Sequence, residues 1–165
     1  MIQRHLMTAL FLTLSGCSSA PASDPQTPPT TGKADVEAWL GKGFYKSWHC
    51  EGAPHAARSP SPHGSNRICS NNLTSVAGAG EYPIGAASVK ELLDQSNAIT
   101  GYAVYLKTAK GGGESFYWYE RTGADVVGDG LGTSGPPKTV CVGCHTGAGS
   151  DANHSGHDFV YTQVK

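Results

Sequence analysis

The five residues Cys141-Val142-Gly143-Cys144-His145 constrain this chain more than any other feature it carries. Two thiols three positions apart can add to the two vinyl groups on one edge of a haem. The imidazole that follows then lies under the iron as its proximal ligand. On this reading, any fold for the chain has to present all three side chains to one cofactor, a single covalently held haem c. Other uses of these residues remain open at this stage. A redox-active CxxC sits at the head of a helix after a strand in an alternating β/α chain, a pattern not found here. A zinc site built from Cys141, Cys144, His154 and His157 has a gap and a final pair shorter than usual zinc-finger spacings. The last alternative is a chance motif.

The start of the chain reads MIQRHLMTALFLTLSGC, with a short cationic opening at Arg4 and His5 and an apolar stretch from Leu6 to Leu14. That stretch is too short to span a membrane and has the proportions of a secretory signal core. It ends in Leu14-Ser15-Gly16-Cys17, which resembles a bacterial lipoprotein box. Residues 1–16 are therefore expected to be a lipoprotein signal peptide and Cys17 the lipidated residue; an ordinary signal peptide with a coincidental cysteine is the alternative. Acyl chains on Cys17 would hold the protein at a membrane facing the periplasm. Ser18, rather than Asp, at the next position favours the outer membrane. Residues 17–33, with Pro21, Pro25, Pro28 and Pro29 among Ser, Thr and Ala, are expected to form a disordered tether. The haem domain then occupies 34–165.

Export sharpens the cysteine arithmetic. Of 5 cysteines, Cys17 goes to lipid and Cys141 and Cys144 to haem, which leaves Cys50 and Cys69 in an oxidising compartment where they can pair. Such a bridge would close a Pro-rich loop and contribute about 3 kcal/mol in the loop-entropy picture; two buried free thiols are the alternative. With Lys+Arg 12 against Asp+Glu 13 and no basic block, a nucleic-acid partner is excluded.

Gly 22 and Pro 10 in 165 residues point to a loop-rich single domain. Val36, Trp39 and Leu40 fall at helical spacing ahead of Gly41 and Gly43, which predicts a short helix over 35–40. Residues 51–66 read as loop and 73–79 as a second short helix. Strands are predicted over 86–92, 101–107, 116–121 and 159–164 from aromatic and β-branched content, the second and third joined as a hairpin through Gly111-Gly112-Gly113. Residues 125–135 read as Gly-rich loop. The fold class is α+β, mainly antiparallel β-sheet with a few short flanking helices.

The only methionines are Met1 and Met7, both within the expected signal peptide, so a His/Met haem is not available to the mature chain. His49, His55, His63, His154, His157 and the lysines are the candidate sixth ligands. An open sixth position, suited to binding or chemistry at the iron, is the favoured state.

Several blocks resemble the cytochrome P-460 family. They are Tyr82-Pro83-Ile84-Gly85 with the following Val89-Lys90-Glu91 segment, then Gly101-Tyr102, Trp118-Tyr119-Glu120-Arg121, Cys141 to His145 and Gly156 to Tyr161. The resemblance covers roughly 35–165. It implies an antiparallel sheet with flanking helices and a haem that, in members oxidising hydroxylamine, carries a covalent bond from a lysine. That lysine carries over to Lys90; a solvated strand lysine is the alternative. Relatives termed cytochrome c′-beta lack the bond and bind NO or CO. Hydroxylamine-oxidising members place a carboxylate above the iron on the strand after Gly-Tyr. Here Tyr102 to Lys107 holds no acid, leaving Glu91, Glu114 and Glu120 as candidate substitutes, and an open site is expected to be lined by Tyr102, Val104 and Leu106 or by the opposite face of that strand. The resemblance thus implies a small nitrogenous or diatomic gas ligand, an external redox partner and the membrane through the lipid anchor, with homodimerisation left open.

Overall fold

A computed structural model describes residues 26–58 and 61–165; the expected signal peptide and the expected lipidation site Cys17 lie outside them. Six antiparallel strands form one sheet in which every neighbour in space is also a neighbour in sequence. They are β1 (His49–Cys50), β2 (Ser65–Ser70), β3 (Ala87–Leu93), β4 (Ile99–Lys107), β5 (Phe116–Thr122) and β6 (Asp125–Leu131). Among the described residues the α-helical segments that accompany them are short: α1 (Lys33–Lys42), α2 (Asn72–Ser75) and α3 (Gly143–His145). Among the described residues no helix is long and apolar enough to cross a membrane.

Strand side chains alternate between the two faces of a sheet, and here each face has its own cover. On the first face Val89, Val104 and Tyr119 line up across β3, β4 and β5. They pack with Val36, Trp39 and Leu40 of α1 and with Tyr45. The Gly43 N–H, from a left-handed residue, closes α1 on the Leu40 carbonyl. On the second face Tyr105 and Trp118 pair across β4 and β5. They are covered by Tyr82, Cys141 and Val160, with Val142 and Phe159 at the margin. The C-terminal segment therefore covers the second face as α1 covers the first. The central strands, buried on both sides, read as nearly continuous apolar and aromatic runs.

Some expectations need correcting. The Gly-rich stretch 125–135 is a strand over much of its length, because β6 pairs with β5 from Thr122↔Asp125 to Tyr117↔Leu131. Backbone pairing at a sheet edge needs no large side chain, and Gly128 is where the C-terminal segment crosses: a Cβ there would lie 3.1 Å from Cys141 Sγ. The expected final strand over 159–164 is absent. Asp158 and Phe159 have φ of 43° and 65° and form a tight turn that folds Phe159 and Val160 back onto the second face. β2 extends the sheet from Ser65, where loop was expected to run to 66, because Ser65↔Leu93 to Ser70↔Ser88 pair in unbroken register with β3. The second helix is a single turn, capped by Asn71 Oδ1 accepting from Thr74 N at 3.0 Å. The expected tether also ends before Lys33: Pro28 is already buried, and Lys33, the first residue of α1, donates its N–H to Asp129 Oδ2 at 2.8 Å.

Candidate functional site

After Pro136-Pro137 the chain makes a π-helical turn over Pro137–Val142 that runs directly into α3. Such turns are rare and concentrate at functional sites. This one sits very close to the sheet. A Cβ on Gly113 would lie 2.4 Å from Val142 Cγ1, and one on Gly132 2.6 Å from Val142 Cγ2 and 2.2 Å from the Gly113 carbonyl oxygen. Both glycines are thus required for the close approach that lays 141–145 along the second face.

The result is a cavity of about 300 Å³, at the lower end of small-molecule sites. One wall is the C-terminal segment, with Cys141, Cys144 and His145. The other is the sheet, with Lys90, Ala103 and Glu120 side by side in register across β3, β4 and β5. Ala103, the smallest of the three, leaves space between the lysine and the carboxylate. Tyr105, Trp118 and Tyr161 are among the aromatic residues of the lining.

Cys141 is buried and Cys144 exposed, and both are free thiols. Cys50 and Cys69, by contrast, form a disulfide between directly opposed positions of β1 and β2 (S–S 1.99 Å). Burial pushes the Cys141 thiol up to about 12, with the nearby Glu120 charge adding to the effect. His145 Nδ1 donates to the Phe159 carbonyl at 2.6 Å. A carbonyl can only accept, so Nδ1 carries the proton and Nε2 keeps its lone pair. The ring packs against Trp118 (centroids 4.7 Å apart) and Tyr161 (5.3 Å). It is only half-buried by accessible surface, but its open side faces the cavity and the rest is enclosed by protein. Burial accordingly pulls its pKa down to about 4, against the opposing effect of the Phe159 carbonyl. Burial also pulls Lys90 down to about 8, partly offset by the negative charge of Glu120.

The residues picked out from the sequence, Cys141, Cys144, His145 and Lys90, are brought together on this one cavity. From β4, Ala103, Val104 and Tyr105 border it; the Tyr102, Val104 and Leu106 side chains pack in the core on the α1 face, so the opposite face of the strand provides most of the lining. Of the three candidate acids, only Glu120 arrives. Glu91 lies on the α1 face, accepting from Tyr45 Oη at 2.7 Å and pairing with Arg67 Nε at 3.0 Å, and Glu114 accepts from Gly112 N in the β4–β5 loop.

The histidines divide similarly. His55 and His63 line the cavity, and His63 Nδ1 lies 3.2 Å from Glu120 Oε1. His154 pairs with Asp151 at 2.8 Å, and His157 stacks on Tyr82 at 4.4 Å. Among the described residues, no group of three or more His, Cys, Asp and Glu side chains is arranged to hold a bare metal ion.

Sequence reasoning missed Trp118 and Phe159 as partners of His145, and His63 as the neighbour of Glu120. The Glu120 position was in principle legible. Alternation along Trp118-Tyr119-Glu120 places it on the Trp118 side, but only the pairing register puts it two strands from Lys90.

The donor set fits thioether attachment of a haem. Two cysteines stay unpaired on one cavity wall while the other two described cysteines are bridged, and the adjacent imidazole is held neutral with Nε2 free. No family model, no curated protein and no solved structure matches the chain, so what it does has to be argued from these residues.

Proposed function

We propose that the chain is an exported mono-haem protein in which Cys141 and Cys144 hold haem c and His145 Nε2 ligates the iron. Its activity is the oxidation of hydroxylamine or a related small nitrogen species, with electrons passed to an external acceptor, as in the cytochrome P-460 family that it resembles. The observation that carries this reading is the Lys90–Ala103–Glu120 row on the sheet wall of the cavity that Cys141, Cys144 and His145 line. Haem, when bound, supplies an iron that coordinates the substrate nitrogen and takes up its electrons.

The chain's own residues do the rest. Oxidising an N–H or O–H compound releases protons, and an acceptor is needed within hydrogen-bond reach. Glu120 is that acceptor, and His63, 3.2 Å from it, is the next station toward the outside. Ala103, Tyr105 and Trp118 contribute apolar and aromatic surface beside that row, which limits water there. Lys90, with its pKa lowered to about 8, presents an amine that loses its proton more readily than a solvated lysine would; this is what bonding to the macrocycle would require. Lipidated Cys17 anchors the domain to a membrane on its periplasmic side.

Two other readings each have one supporting observation. The apolar part of the lining suits a non-catalytic NO or CO binder, and His63 and His55 on the cavity suit a bis-His electron carrier. One set of measurements on the purified, matured protein separates them. A pyridine assay reads thioether-bound haem. High-spin oxidised and reduced spectra with hydroxylamine turnover support the proposal. High-spin spectra with gas binding and no turnover support the second reading, and low-spin spectra in both states support the third. Mass spectrometry of the haem peptide reports a Lys90 bond directly. A colourless matured protein overturns all three.

A further inference from the structure

We infer that the buried Lys107–Asp158 ion pair is a positioning device for His145, acting through a strained turn at Asp158-Phe159. The inference rests on the reading of His145 as the iron ligand. Lys107 is the last residue of β4, and its side chain is fully buried, with 0% exposure. The ammonium donates to the Gly111 carbonyl at 2.6 Å, lies 3.2 Å from Asp158 Oδ2 and 3.1 Å from Glu81 Oε1, and sits 4.3 Å above the Phe116 ring. Asp158 Oδ2 also accepts from Tyr82 N at 2.7 Å. An ammonium taken out of water is costly unless it is fully partnered, and apolar residues serve a core at least as well. Its use here calls for a purpose other than packing.

The turn supplies that purpose. His157 N donates to Val160 O at 3.1 Å and Val160 N to His157 O at 2.9 Å. Both residues between them are left-handed, with Asp158 at φ 43° and Phe159 at φ 65°. This two-residue hairpin turn favours Asn, Asp and Gly at its centre. A bulky phenylalanine there is an outlier that persists only when its surroundings enforce it. The enforcement is visible. Lys107 and Tyr82 N grip the Asp158 carboxylate, Tyr82 stacks on His157, and Phe159 packs near Phe116 under the ammonium. The turn also closes on Gly156, where a Cβ would come within 1.9 Å of the Val160 carbonyl oxygen. What the strain delivers is one atom: the Phe159 carbonyl oxygen, 2.6 Å from His145 Nδ1.

A strong Nδ1–H···O=C bond fixes the ring and makes the other nitrogen more basic toward a metal. Lys107 and Asp158 are thus positioning residues one step behind that bond. Loosening them weakens the acceptor, which lowers the iron–imidazole stretching frequency and moves the iron potential in the positive direction.

The test uses the matured holoprotein. Lys107→Met and Asp158→Asn are compared with wild type by resonance Raman of the ferrous state, by spectroelectrochemistry and by thioether count. Glu81→Gln removes a negative charge beside Lys107 without replacing any residue of the turn and serves as the control. The expected result is a lower, broader iron–histidine band and a more positive potential in both variants, with the thioether count unchanged and Glu81→Gln like wild type. Where Lys107→Met fails to mature, Asp158→Asn reads the same band. Wild-type band and potential in the variants, with only thermal stability lowered, overturn the inference and leave the haem reading standing. Wild-type protein without thioether-bound haem overturns the haem reading, and this inference with it.

Discussion

Substitution of Gly132 by alanine tests whether the C-terminal segment is docked as tightly as the geometry requires. The new Cβ would lie 2.2 Å from the Gly113 carbonyl oxygen, 2.9 Å from its carbon and 2.6 Å from Val142 Cγ2. Ordinary carbon–oxygen contact is about 1 Å longer than the first of these, and the obstacle is backbone rather than a flexible side-chain end. Either the β4–β5 loop or the π-helical turn must retreat. Overpacking of this kind costs about 1–3 kcal/mol, which for a domain of this size lowers Tm by roughly 3–10 °C. Retreat of the turn displaces Val142, the residue between the first cysteine and the rest of the motif, so thioether formation should fall as well. Thermal unfolding of matured protein, followed by circular dichroism, reads the first effect and the pyridine assay reads the second. Gly41→Ala is the matched control: it lies in α1 with nothing within 4 Å of the added carbon and should stabilise by about 0.5–1 kcal/mol. A Gly132→Ala protein with wild-type Tm and full haem incorporation would refute the close-approach account of how 141–145 is held.

Three further outcomes follow from named contacts. Glu120→Gln keeps the shape of the sheet wall but removes the proton acceptor, so hydroxylamine turnover should fall by about 10²–10⁴-fold in steady-state assays while the thioether count stays at the wild-type value. Replacing Cys50 and Cys69 together by alanine should cost about 3 kcal/mol, measured by urea titration, because the loop they close is released in the unfolded chain. Acid should destabilise the fold through Glu37 and Glu51. Burial raises both carboxyls, but Arg121 and Tyr119 bonded to Glu37, and Arg58, Ile68 N–H and His55 bonded to Glu51, outweigh it, so both end below the ordinary glutamate range near pH 4.5. The unfolded chain then binds more protons than the folded one around and below pH 4.5. Stability is full above that value and drains as pH falls through the folded pKa values, a loss that Arg121→Gln should shrink in a pH series of denaturant midpoints.

How much of this could be read from the sequence depended on whether a signal was local. The antiparallel β character and strands β3, β4 and β5 were legible because Ala86 to Leu92, Gly101 to Lys107 and Phe116 to Arg121 carry β-branched and aromatic residues in runs bounded by turn formers. The motif and the cysteine pair were legible because spacing and parity are properties of the sequence alone. β6 was not legible, since Gly128 and Gly130 lower local strand propensity and the strand exists through its pairing with β5 and the segment that crosses it. The segment 159–164 failed in the opposite direction. Phe159-Val160-Tyr161 has the composition of a strand, but Lys107, fifty-one positions earlier, binds Asp158 and holds a turn where local preference asks for extension. Glu120 needed the register of three strands before it could be placed beside Ala103 and Lys90.

These misreadings have a common physical origin in the second face of the sheet. The first face is completed by a regular helix, whose apolar spacing is written locally in Val36, Trp39 and Leu40. The second is completed by a segment with little regular structure, whose geometry is imposed from outside: by glycines that clear space for Val142, by a buried lysine that holds Asp158, and by a carbonyl that orients His145. A helix or strand would satisfy its own backbone and present side chains at fixed intervals. An irregular segment can bring two thiols, a neutral imidazole and the carbonyl of a residue fourteen positions further on close together in space, because its backbone is free to serve as ligand support. The regular sheet supplies the rigidity that such a segment lacks, and carries Lys90 and Glu120 on the wall facing it. On this division of labour, and on the haem reading proposed above, a change at Glu120 should alter chemistry without loosening the haem, while changes at Gly132 or Lys107 should alter how it is held.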